Sequence, residues 1–117
     1  MDNTIVFSNF DFADSTYKSL SLSENYILTI DMHTWQEIPF KLIFENVIYF
    51  LFNNGDFPKN LHKVAENSQF FINAVAKQYV EKPPTDHPYK GYELKDISDF
   101  AFIEIVAESV LLLRNLG

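Results

Sequence analysis

The 117-residue chain contains no cysteine. That excludes disulfides, zinc–thiolate sites and cysteine nucleophiles, and it leaves the fold to be held by its core alone. Glycine is scarce: Gly55, Gly91 and Gly117 stand too far apart to build a phosphate-cradling loop. The single arginine, Arg114, is the sole source of a bidentate clamp for phosphate or carboxylate. The longest unbroken apolar run, Val47 to Phe52, falls far short of the ~20 residues of a membrane-spanning helix, so no membrane is expected. Basic residues number 9 against 16 acidic ones, a net charge of −7. Such a chain is a poor nucleic-acid binder, because phosphate neutralisation needs clustered Lys and Arg. The Met1-Asp2-Asn3 start carries no basic n-region and no Asn-x-Ser/Thr sequon occurs, so a cytoplasmic location is expected.

What is present fits one compact domain over residues 1–117, with 47% hydrophobic and 16% aromatic residues. Charge is uneven: residues 1–58 carry −6, residues 59–82 carry +2 and residues 83–117 carry −3. Residues 1–14 hold Phe7, Phe10 and Phe12, too many aromatics for a loose tail, and are expected to dock as an edge strand. Residues 19–23 alternate Ser and Leu and read as a half-buried strand, followed by a turn at Glu24-Asn25. Tyr26, Leu28, Ile30 and Met32 share one face of the next strand, and Ile38, Phe40, Leu42 and Phe44 share one face of the strand after it. Pro39 offers no ladder donor and belongs near that strand's start or on an edge. Val47 to Phe52 is apolar on both faces, which suggests a central strand, and Asn53 to Asp56 is a strong turn signal.

Residues 60–82 are the place for a helix, with Phe71, Ala74, Val75, Gln78 and Tyr79 on one face and Asn67 or Ser68 as cap. The Phe70-Phe71-Ile72 run keeps a strand alternative open. Three prolines between residues 83 and 88 make a loop. Tyr89 to Ile97 reads as a strand. Phe100 to Leu113 is rich in β-branched residues and is preferred as strand over helix, with a bend or bulge near Ala107-Glu108-Ser109. The sum is an α+β, β-rich domain of six to eight mostly antiparallel strands in two layers, sandwich-like or curled, with a helix near 67–80.

Chemistry-bearing motifs are few. Asp31 and His33 share a strand face, yet the plainer reading is a strand-end histidine beside a neighbouring acid, since metal sites need three or four ligands. His62 and His87 match no zinc spacing, and no Gly-x-Ser-x-Gly occurs. No enzyme activity, metal or cofactor is expected. The phenylalanines at strand positions (Phe40, Phe44, Phe50, Phe52, Phe100, Phe102) read as core. Trp35, Tyr89 and Tyr92 have polar surroundings and suit a protein interface. The candidate contact surface combines them with nearby acids: Asp31, Trp35 and Glu37 in one segment, and Asp86, Tyr89, Tyr92, Asp96 and Asp99 in another. The expected partner is a basic protein, steered by the acid excess. The rival functions are a small-molecule-binding domain with an aromatic-lined pocket between sheet and helix, and a structural subunit of a larger assembly.

The C-terminal third, Tyr89-Lys90-Gly91-Tyr92-Glu93-Leu94-Lys95-Asp96-Ile97 followed by Phe102-Ile103-Glu104-Ile105-Val106-Ala107-Glu108, resembles small acidic immunity-type proteins of Gram-positive bacterial toxin–immunity loci. The resemblance implies a cytosolic protein that binds one toxin domain and blocks it. Many such toxins are nucleases with basic clefts, which suits the sign of the charge. It assigns no functional residue.

Overall fold

The computed structural model describes residues 4–7, 9, 10, 12, 15–53, 58–96, 98 and 100–114. In chain order the elements are β1 (Thr4–Val6), β2 (Thr16–Leu22), β3 (Leu28–His33), β4 (Pro39–Glu45), β5 (Tyr49–Phe52), β6 (Pro58–Lys63), α1 (Gln69–Ala76), β7 (Lys90–Asp96), β8 (Ala101–Ala107) and β9 (Ser109–Arg114). They form an antiparallel sheet of order β1-β6-β7-β8-β5 and a second of order β2-β3-β4-β9. The nine strands among the described residues exceed the six to eight expected, because the last long segment is two strands and residues 60–63, placed in the helical segment, belong to strand β6.

Alternation dictates the four-stranded sheet. Leu28, Ile30 and Met32 of β3 and Phe40, Leu42 and Phe44 of β4 all point inward and are buried. Thr29, Asp31, Lys41 and Ile43 take the outer face. Pro39 opens β4, where a missing N–H costs least. Tyr26 and Ile38 do not continue these faces as expected; each lies in a turn and is exposed.

Two continuous ribbons join the sheets. β4 leads into β5 and β8 leads into β9, with β4 paired to β9 and β5 paired to β8. Between the Glu45–Ser109 and Tyr49–Val106 pairs, three residues on one strand face two on the other. That extra residue is a bulge, and it turns both strands from one sheet to the other. Asn46 there has φ 52°. The Glu108 N–H donates to the Glu45 carbonyl and the Ile48 N–H to the Val106 carbonyl, both at 2.9 Å, and the Asn46 side-chain amide donates to the Glu108 carboxylate. The bend expected near residues 107–109 is this corner.

Val47 to Phe52 is not a central strand. Val47 and Ile48 make the crossing, and β5 is the edge of its sheet. Its two apolar faces serve different layers. Tyr49 stacks on Phe70 beside the helix, at 5.8 Å between ring centroids, while Phe52 meets Tyr17 and Phe102 on the inner side. Phe50, Phe52 and Phe100 are exposed rather than core. A second bulge, between the Leu94–Ile103 and Lys95–Ala101 pairs, lets the consecutive Phe102 and Ile103 both bury.

The helix is shorter than the segment that suggested it, since residues 60–63 belong to β6. It lays Phe71, Ala74 and Val75 on the outer face of the five-stranded sheet, against Val64 and Val106. Ser68 occupies the N-cap position, but its side chain makes no capping bond. Gly91 lies beneath the helix; a Cβ there would meet Phe71 Cδ1 at 3.1 Å and crowd Val64 still more closely. The main core, between the sheets, gathers Phe12, Leu61, Tyr92, Leu94 and Ile105 with the inward residues of β3 and β4. No helix among the described residues is long and apolar enough to cross a membrane.

Candidate protein-interaction surface

Three hairpin turns share one device. In each, a side-chain oxygen accepts the backbone N–H groups two and four residues on. Ser23 Oγ takes Asn25 and Ile27 at 3.3 Å, Thr34 Oγ1 takes Gln36 at 3.3 Å and Ile38 at 3.2 Å, and Asp96 Oδ1 takes Ser98 at 2.9 Å and Phe100 at 3.0 Å. The backbone closes each loop, with Ser23, Thr34 and Asp96 N–H groups donating to Ile27, Ile38 and Phe100 carbonyls. Tyr26 and Glu37 sit at φ 61° and 62°, the left-handed position that ends a three-residue hairpin loop. These side-chain caps mimic the backbone turn and stiffen it.

The consequence is a presented indole. Trp35 is 63% exposed at the tip of the Thr34 turn. Exposed Ile38 shares a cleft with it, and the exposed Leu111 and Leu113 of β9 lie on the outer face of the same sheet, opposite Ile43 and Lys41. Two shallow clefts of about 320 and 290 Å³ adjoin there, one lined by Trp35, Ile38 and Phe10, the other by Asp31, Lys41 and Leu113, and both by Phe40 and Arg114. The Arg114 guanidinium stands 4.9 Å over the Phe10 ring. That contact is a cation–π pair and holds the arginine in place.

The eight residues singled out from the sequence separate. Asp31 is on β3, not in a loop; it accepts from Ser19 Oγ at 3.1 Å and pairs with Lys41 at 3.5 Å across the strands. It therefore does not serve His33. Glu37 and Trp35 share the exposed turn. Tyr92 is not at the surface: it is buried between the sheets, edge-on to Phe44 at 5.5 Å, and burial raises its phenol above the usual pKa. Its alternation with Glu93 put it on the core face. Asp96 is also buried, used as the cap of its own turn. Asp86 is exposed, and Tyr89 is half-buried beside α1. Tyr89 too has a raised pKa, first from burial and then from Tyr79 and Glu108. Asp99 lies outside the described residues.

Trp35 and Tyr89 do not meet. The Trp35 turn follows the His33–Pro39 pair at one end of β4. Tyr89 precedes Lys90, whose ammonium donates to the Glu108 carbonyl at the other end. The length of β4, roughly 20 Å at about 3.3 Å per residue, lies between them. Sequence reasoning missed Tyr26, exposed on a turn built like that of Trp35, and the exposed Leu111 and Leu113. The matching spacing of Ser23-x-x-x-Ile27 and Thr34-x-x-x-Ile38 was the available signal for the first. Among the described residues no group of three or more His, Asp and Glu side chains could hold a metal ion. No family model, curated protein or solved structure matches the chain.

Proposed function

We propose that this chain is a non-catalytic protein-binding module that grips a basic protein domain through the Trp35 end of its four-stranded sheet, in the manner of an immunity protein blocking a toxin. One observation carries the reading: a 63% exposed tryptophan on a turn locked by Thr34. Leaving a large indole in water is unfavourable, and a stiff turn removes the ordering cost of using it. Tryptophan and arginine dominate binding hot spots, and Arg114 borders both adjoining clefts. The net charge of −7 favours a cationic partner by steering encounter. The cysteine-free composition suits a reducing compartment, and we place the protein in the cytoplasm.

The test is surface-based kinetics against the polypeptide encoded beside this chain's gene, together with growth rescue on co-expression. Trp35→Ala is expected to speed dissociation about thirtyfold, equivalent to ~2 kcal/mol. Glu37→Gln with Asp31→Asn, both at the Trp35 end, is expected to slow association, as is salt above about 0.15 M, where the screening length is ~8 Å. An unchanged complex lifetime in folded Trp35→Ala, with salt-independent association, refutes this placement.

A further inference from the structure

A cleft of about 420 Å³ opens between α1, the proline-rich loop and the start of β7, at the end of β4 remote from Trp35. Its volume falls in the ~300–1,000 Å³ range of small-molecule sites. The floor is apolar: Val64, Phe71 and Val75 close it, and Ile72 of α1 borders it. One wall is His87, whose ring lies 5.8 Å from Phe71 and 6.1 Å from Tyr89 between centroids. His87 Nδ1 accepts the Tyr89 N–H at 3.2 Å, which puts the imidazole proton of the neutral ring on Nε2. Pro83, Pro84 and Pro88 line the cleft and fix the φ angles of that wall, so little chain entropy is left to lose on binding.

The rim is what selects the ligand. Lys63 and Lys90 both border the cleft, in a chain whose net charge is −7. Lys90 gives one of its three donors to the Glu108 carbonyl, which leaves two for a ligand. Glu66 stands on the same rim and disfavours a second negative charge on the ligand. From this arrangement we infer that the cleft binds a small amphipathic monoanion, an aromatic carboxylate, with its ring on Phe71 and Val75 and its carboxylate toward Lys63, Lys90 and His87. This site is independent of the Trp35 surface.

The experiment titrates ¹⁵N-labelled protein with 2-naphthoate, and with 2-naphthamide and 2-naphthylmethylamine as neutral and cationic counterparts. Naphthoate is expected to shift the Val64, Phe71, Tyr89 and Gly91 amides saturably, with a dissociation constant below about 1 mM. The amide and the amine should bind at least about tenfold more weakly, since charge-assisted hydrogen bonds to the carboxylate are lost. Lys63→Met with Lys90→Met should weaken naphthoate about fivefold or more while the protein stays folded. Ile72→Trp, on an exposed helix position, should fill the cleft and abolish binding. No saturation by about 5 mM, equal affinity for all three probes, saturable shifts confined to other residues, or full affinity in the double lysine variant each overturns the inference.

Discussion

Gly91→Ala adds one methyl group where the fold has no room for it. The new Cβ would lie inside the contact radius of Val64 Cγ2, 3.1 Å from Phe71 Cδ1 and 3.3 Å from Phe71 Cβ. The backbone cannot move aside. Gly91 is paired with Val106 across β8, and its carbonyl accepts the Val64 N–H at 2.8 Å. Val64 is β-branched and rotates poorly at χ1, so α1 must shift. An alanine would otherwise help, by about 0.4–1 kcal/mol through lower entropy of the unfolded chain. Overpacking costs about 1–3 kcal/mol, and losing the burial of Phe71 alone costs about 1.5–3 kcal/mol. The steric term wins, for a net loss of about 2 kcal/mol. An eight-residue helix without a side-chain cap cannot persist undocked, so the loss should appear first as rapid hydrogen exchange across α1. Urea unfolding followed by circular dichroism gives the total. Val64→Ala removes the clashing methyl, so the double variant should be at least about 1 kcal/mol more stable than the two single effects add up to. A Gly91→Ala variant within about 0.5 kcal/mol of the parent, or strict additivity with Val64→Ala, refutes the reasoning.

Glu37→Gly and Tyr26→Gly each relieve a left-handed residue, and each should raise stability by about 0.5–1 kcal/mol in urea titrations, provided the turn keeps its geometry. Asp96→Ala removes the charged acceptor of two part-buried turn hydrogen bonds and should cost about 2–3 kcal/mol; Asp96→Asn, which keeps one oxygen, should recover part of it. Tyr49, Tyr89 and Tyr92 all have phenol pKa values raised above 10.0 in the folded protein, each first by burial. The folded state then holds these protons more tightly than the unfolded chain, so the stabilisation is full below pH 10 and falls as pH rises through the folded values. Absorbance at 295 nm should show three tyrosines ionising late, and Tyr49→Phe should remove one of them, because Glu104, which accepts the Tyr49 O–H at 3.3 Å, adds to its shift. Together with the kinetics of Trp35→Ala, these experiments cover core, turns and surface.

Local pattern determined much of this protein. Period-2 alternation in β3, β4 and β7, the proline-rich loop, the short helix and the bend at Glu108 all follow from residue spacing, because side chains on a strand must alternate faces. The absence of cysteine and the acid excess likewise need no structure to be read. What alternation cannot encode is which sheet a strand joins. Phe50 and Phe52 have the composition of core residues, yet the β4–β5 crossing carries them to a sheet edge. Alternation puts Tyr92 and Leu94 on one face of β7, but only the second sheet, with Phe44 against Tyr92, makes that face the core. Asp96 reads as a surface acid until its turn folds over it. The cleft beside α1 exists only because residues 63–66, 71–75 and 83–91 converge on one face of a sheet. The distance between Trp35 and Tyr89 is likewise set by the full length of β4, a separation fixed by strand pairing between segments far apart in the chain.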